Sequence, residues 1–248
     1  MIDINNKAFN FYDSTNMIED QINLLRLNSN VDVFTESIYT ISEKYIPLRE
    51  KRVFFNQFNN KILNFNNNKS EIINKKYETF TGIEVLFSQN SLIPEINYQD
   101  LCLLDSNFLL IDLNNNETTI GSLEKNLSRI IENKIIPIIA HPERLENQIE
   151  INQLKKLKNF GVLFQLSIGS LQKVFGEKVE KNSINLLKYG IFDFIASDTI
   201  YYDEFNDDFL EKSLDKARKI IGDSSINELI YKNPLNIIDH KTSNNYQI

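Results

Sequence analysis

Ile135-Ile136-Pro137-Ile138-Ile139-Ala140-His141-Pro142-Glu143-Arg144 is the stretch that decides the fold. An apolar run this short, with no polar alternation, suits a strand covered on both faces, as in a parallel sheet. Pro142 pushes the residue before it out of regular structure, so the strand ends at His141, one of only two histidines in the chain. Its imidazole then stands at the C-terminal lip of a strand, with Arg144 just beyond. In α/β barrels and doubly wound folds that lip is where chemistry is placed. A histidine that merely caps a strand is the competing reading. It loses weight because several other strands also end on polar groups.

Outward from this strand the pattern alternates. Ile2–Ile4, Val31–Thr35, Phe80–Phe87 and Leu109–Leu113 read as strands before it, Val162–Leu166 and Phe192–Ala196 after it. Helical spacing fills the intervals. It covers Asn16–Leu27, Pro47–Phe65, Glu71–Tyr77 and Ser122–Glu132, then Gln153–Asn159 up to Gly161, Val179–Lys188 up to Gly190, and Phe209–Ile221. Strands separated by helices predict a parallel sheet with right-handed crossovers. Seven such units in 248 residues favour an α/β fold of the distorted (β/α)7 TIM-like barrel kind, a single domain over residues 1–248. The open doubly wound sheet is the alternative, weakened because no Gly-rich phosphate loop follows the first strand.

Composition narrows the function. A hydrophobic content of 42% can bury a large core, and a net charge of −7 with a pI near 5.0 argues against a nucleic-acid partner. No apolar run approaches the roughly 20 residues that cross a bilayer. Met1-Ile2-Asp3-Ile4 is acidic at once and lacks a basic leader region, so no secretory signal is expected. The single cysteine, Cys102, forms no internal disulfide and fits a reducing cytoplasm. Set in the apolar run Leu101–Leu104, it reads as a buried structural thiol. The Asn-rich stretches Asn59–Asn68 and Asn114–Asn116 read as solvated loops or helix ends, and neither repeats nor linkers mark a domain boundary.

Polar groups cluster at the strand ends. Asn5 and Lys7 follow strand one, Thr35, Glu36 and Ser37 strand two, and Glu84 lies within or near the end of strand three. Asp112 ends strand four, His141 strand five, Ser167 strand six and Asp198 strand seven. In a barrel they converge on one rim. Glu84, His141 and Asp198 are ligand types for a hard or borderline divalent metal. On spacing alone this is a weak signal, since strand ends carry acids for many reasons.

The ordered segments carry more. Met1-Ile2-Asp3-Ile4, Gly82-Ile83-Glu84, Ile138 to Arg144, Gln165 to Leu171, Phe175-Gly176, Ile195-Ala196-Ser197-Asp198 and Asn233-Pro234 together resemble the bacterial protein-tyrosine phosphatases of the PHP (polymerase and histidinol phosphatase) superfamily, which are encoded in capsule and exopolysaccharide operons. The resemblance implies a distorted (β/α)7 barrel whose rim holds two or three metal ions, usually manganese. Those ions bind phosphate and activate water for attack on phosphotyrosine. It implies Glu84, His141 and Asp198 as metal ligands with Asp13 as a further family acid, and Arg144 and Asp198 as catalytic residues. It also implies a partner, the tyrosine-rich tail of a kinase that regulates polysaccharide polymerisation.

The departures from that family bear on activity. Its opening histidines fall on Asn5 and Lys7, and its histidine after strand two falls near Glu36 or Ser37. The histidine after strand seven falls on Ile200, and its later phosphate-binding arginine has no counterpart in Tyr201–Phe209. A carboxamide is a weak ligand and an ammonium none. Lys7 is instead expected to neutralise Glu84 and Asp198, which would be costly to bury without a cation. Two function classes follow: a non-catalytic binding or regulatory relative holding one ion or none, or a phosphohydrolase using fewer ions on Asp13, Glu36, Glu84, His141 and Asp198. A small-molecule phosphate enzyme on the same barrel is a third.

Overall fold

The structure, a computed structural model, describes residues 1–6, 33–40, 78–87, 101–103, 106–113, 120–145, 149–198 and 207–244. Its strands are β1 (Ile2–Asn6), β2 (Val33–Thr40), β3 (Glu78–Phe87), β4 (Phe108–Leu113), β5 (Ile136–Ala140), β6 (Leu163–Ser167) and β7 (Phe194–Ala196). They form one seven-stranded sheet in sequential order, every neighbouring pair parallel. Helices follow the later strands: α1 (Ile120–Glu132), α2 (Ile151–Asn159), α3 (Glu177–Lys188), α4 (Asp207–Asn227) and α5 (Asn233–Asn244).

β4, β5, β6 and β7 are near-continuous apolar strands buried on both faces, as a parallel sheet requires. Successive side chains point to opposite faces, and the core divides accordingly. On one face Leu109, Ile111, Ile139, Phe164, Leu166 and Ile195 pack with Leu123 and Leu127 of α1, Leu154 and Leu157 of α2, Leu187 of α3 and Leu210 of α4. On the other, Ile2 and Ile4 of β1 share a cluster with Leu110, Ile138, Ala140, Phe194 and Ala196, joined by Ile237 of α5. The sheet's first and last strands therefore meet over one apolar cluster. The buried Asp3 carboxylate adds a bond across that seam, accepting the Ser197 N–H at 3.0 Å. Among the described residues no β1–β7 ladder closes the ring, so the expected α/β fold with a sequential parallel sheet is what the structure shows, and the sheet is not closed.

Several expectations shift. β2 runs to Thr40, so Thr35, Glu36 and Ser37 lie inside the strand, with Glu36 opposite Thr81 and Ser37 opposite Gly82. The Asn16–Leu27, Pro47–Phe65 and Glu71–Tyr77 helices lie outside the described residues, as do Asn59–Asn68, Asn114–Asn116, Lys7, Asp13 and Ile200. Gly161 and Gly190 hold positive φ just past α2 and α3, the helix-ending conformation glycine favours. The π-helical turn Glu228–Lys232 and α5 were not expected. α5 runs on directly from that π-turn, Asn233 N–H bonding the Glu228 carbonyl, and Pro234, which has no N–H to give, stands at the junction. Asn233 Nδ2 anchors that end to the Asp193 carbonyl at 2.8 Å. Cys102 is buried, as its setting implies.

Candidate metal centre

Four strands and one short turn build the site. β3 carries Glu84, fully buried, and β4 carries Asp112 near its end. β5 ends at Ala140, and His141 then takes a left-handed conformation, φ 34° and ψ 53°. Its N–H is held by the Gln165 carbonyl of β6 at 2.8 Å. Pro142 starts a 3-10 turn, Pro142–Arg144, and Arg144 N–H bonds back to the His141 carbonyl at 3.0 Å, folding the arginine over the strand end. Asp198, two residues past β7, is also left-handed, with φ 49°.

These side chains converge. His141 Nε2 lies 3.3 Å from Glu84 Oε1 and 3.8 Å from Asp112 Oδ1. One ligating atom each from Glu84, His141 and Asp198 all lie within 4.8 Å of one another, and all three residues are buried. The Arg144 guanidinium pairs with the Asp198 carboxylate and also bonds Ser167 Oγ at the end of β6. Phe175 covers it, the ring centroid 3.5 Å from Arg144 Cζ. Beneath the turn, buried Glu143 accepts bonds from Ser167 N–H at 3.1 Å and Ser170 Oγ–H at 2.7 Å, tying the Pro142–Arg144 turn to the 3-10 turn Ile168–Gln172 after β6.

The charges shape the titration. Burial pulls the His141 imidazole down, but the Asp198 carboxylate raises it. Arg144 opposes that rise, and the Glu84 hydrogen bond and Asp112 add to it, leaving the group above its ordinary 6.5. Burial raises the Glu143 carboxyl, against the pull of Arg144, His141 and the Ser170 bond. One imidazole between carboxylates, within ion-binding distance, is a donor set that suits a borderline divalent metal. Binding one requires His141 to be neutral.

Of the residues expected at the rim, the structure brings together Glu84, Asp112, His141, Ser167 and Asp198, with Arg144 beside them. Asn5 lies in β1 and Ser37 and Glu36 in β2. Lys7, Asp13 and Ile200 lie outside the described residues, so the Lys7 counter-ion does too; the cation on Asp198 among the described residues is Arg144. The sequence reading gave no role to Glu143, Ser170 or Phe175, although all three stand in the segments that carried the resemblance.

The family described as capsular polysaccharide synthesis, CpsB/CapC, matches residues 3–239. CapC of Staphylococcus aureus, assigned as a tyrosine-protein phosphatase, is 27% identical over 226 residues, which are 89% of this chain and 84% of that protein. A chain solved in work on YwqE from Bacillus subtilis and CpsB from Streptococcus pneumoniae, described as unique metal-dependent tyrosine phosphatases, superposes with a TM-score of 0.79. It is 20% identical, covering 97% of this chain and 95% of that one, a likeness of fold.

Proposed function

The chain belongs to the CpsB/CapC family of capsular polysaccharide synthesis, and we propose that it is a phosphotyrosine-binding, regulatory PHP-type relative with little or no turnover. On this reading residues 1–248 form one distorted (β/α)7 barrel in the cytoplasm, and its partner is a phosphorylated tyrosine tail of a kinase in the polysaccharide machinery.

The observation that carries the reading is what stands at the rim. Glu84, His141 and Asp198 offer donors for one ion, and Arg144 already neutralises Asp198. Glu84, His141 and Asp198 would hold that ion, manganese by analogy with the family. Bound there, it would offset charge on phosphoryl oxygens and lower the pKa of a water. A cluster of two or three ions needs further imidazoles, yet the matching positions are Asn5, Lys7 and Ile200, with Ser37 or Glu36 near a fourth. An amide coordinates weakly, and an ammonium or an alkyl group not at all. Asp13 adds at most one more carboxylate. What this chain's own residues supply is recognition: the Arg144 guanidinium, its Nη2 already bonded to Asp198 and Ser167, is a fixed cation at the rim with which an incoming phosphate can pair.

One observation favours a second reading, a working phosphotyrosine phosphatase on a reduced metal site: the buried triad is already gathered within 4.8 Å. Elemental analysis of protein purified without chelators, together with aryl phosphate hydrolysis in added manganese, separates the two. The binding relative predicts at most one ion per chain and turnover several powers of ten below a family member with the full histidine set, since each tenfold is about 1.4 kcal/mol of lost charge stabilisation. Robust manganese-dependent turnover abolished by His141→Ala would overturn it in favour of the phosphatase.

A further inference from the structure

Phe175 stands in the turn between the 3-10 segment Ile168–Gln172 and α3, and it is 38% exposed, as is 44% of its neighbour Val174. An aromatic ring this open to water is not there to fill the core. One of its faces is covered by the Arg144 guanidinium at 3.5 Å, the distance of flat stacking. Gly169 lies close against the ring: an added Cβ there would be 3.3 Å from Phe175 Cε2 and 3.6 Å from Val174 Cβ. Glycine at 169 thus leaves the space the ring occupies.

Arg144 needs such a support. Asp198 and Ser167 both bond its Nη2, and its Nε makes no hydrogen bond among the described residues, so the stacked ring is the contact made by the face of the guanidinium. A free arginine carries about 2 kcal/mol of rotamer entropy, and directional recognition of an anion requires the plane to be set beforehand. We propose that Phe175 is a positioning residue for anion recognition at this rim, fixing the plane of Arg144 so that an incoming phosphoryl group meets its N–H edge. This rests on the phosphotyrosine-binding reading above.

Equilibrium dialysis with phosphotyrosine amide tests it on wild type, Phe175→Leu and Phe175→Tyr. Leucine, which packs but cannot stack, is expected to weaken binding roughly tenfold, within the range of partly exposed cation–π contacts. Tyrosine is expected to restore it to within about twofold by the same contact. Gly169→Ala, which crowds the ring without removing it, is expected to weaken binding in the same sense and serves if Phe175→Leu does not fold. The chain contains no tryptophan, so Phe175→Trp places a single indole on Arg144. Its emission is expected to change on adding phosphotyrosine amide and to lose that response with Arg144→Ala. Wild-type affinity in Phe175→Leu, or an indole indifferent to Arg144, overturns the positioning role and leaves the binding reading standing. A wild type that binds no phosphotyrosine amide overturns both.

Discussion

His141, at the end of β5, and Asp198, just past β7, both hold left-handed backbone, with φ of 34° and 49°. Two non-glycine residues in that region, at facing positions of one charged cluster, each cost on the order of 1–3 kcal/mol unless their surroundings dictate the conformation. Here they do: Gln165 holds the His141 N–H, and Asp3 holds the N–H of Ser197 beside Asp198. The strain turns both side chains inward, toward Glu84 and toward each other.

Asp198 therefore contributes both a charge and a conformation, and two substitutions separate them. Asp198→Asn keeps a side chain that tolerates left-handed backbone but removes the partner of Arg144. It is expected to lower stability by about 1–3 kcal/mol, less than for a fully buried pair because Arg144 keeps some contact with water. Asp198→Ala removes the charge and also the conformational tolerance, adding roughly 1 kcal/mol. Urea unfolding of the two variants measures both steps, and equal midpoints would show the backbone at 198 to be unstrained.

The His141 shift has a defined sign. Its folded pKa lies above the unfolded 6.5, so the protonated form is favoured by folding. That stabilisation is complete below about pH 6.5 and is lost as pH rises through the higher folded value. In metal-free protein, melting temperature is expected to fall across this window, and His141→Gln is expected to flatten the profile. Manganese must displace the same proton, so its affinity in wild type is expected to climb over the same pH range. Calorimetric titration at several pH values, in buffers of differing ionisation heat, reads the released proton directly.

Legibility followed physical type. β5 was readable to its ends because Ile136–Ala140 is wholly apolar and Pro142 stops it. β6 and β7 began one and two residues later than their apolar runs, because Val162 and Phe192 are buried without joining the ladder. Burial and strand pairing are different quantities, and a hydropathy pattern reports the first. α5 was missed because its apolar residues, Leu235, Ile237 and Ile238, are few and stand among Asn, Asp and Lys. At the site, Glu84, His141 and Asp198 come together because parallel strands carry their C-terminal halves to one edge of the sheet. The Glu143–Ser170 bond and the Phe175–Arg144 stack join two irregular turns, and no periodicity records such contacts.

Away from the site, Lys158 reaches from α2 to Asp193 Oδ1 at 2.8 Å and to the carbonyls of Ile191 and Gly190 at 2.8 and 3.1 Å. Asp193 in turn accepts the Phe164 N–H at 3.0 Å. Burial pushes the Asp193 carboxyl above its ordinary 3.8, with Lys158 and the Phe164 bond holding it down. Lys158→Met is expected to cost about 1–2 kcal/mol near neutral pH by leaving that carboxylate half-buried with one partner. The deficit is expected to shrink as acid protonates Asp193, because a neutral carboxyl needs no counter-ion. Manganese affinity is expected to stay at the wild-type value. A pH series of urea melts on both proteins checks this, and a deficit that does not vary with pH would place the loss in packing instead.

The most demanding test rebuilds the rim. Asn5 lies in β1, and Lys7 follows Asn5, as Ile200 follows Asp198, by two residues in the sequence. Asn5→His, Lys7→His and Ile200→His together replace an amide, a cation and an alkyl group with three imidazoles, and remove one fixed positive charge from the chain. If lost ligands alone explain a weak rim, the triple variant is expected to bind more manganese per chain than wild type and to raise aryl phosphate turnover by at least tenfold, about 1.4 kcal/mol in barrier. His141→Ala in that background is expected to abolish the gain. Elemental analysis and turnover read the outcome together. More bound metal without turnover would locate the remaining deficit in the missing arginine downstream of Asp198. No added metal would mean that the backbone at these positions no longer aims side chains at the cluster of Glu84, His141 and Asp198.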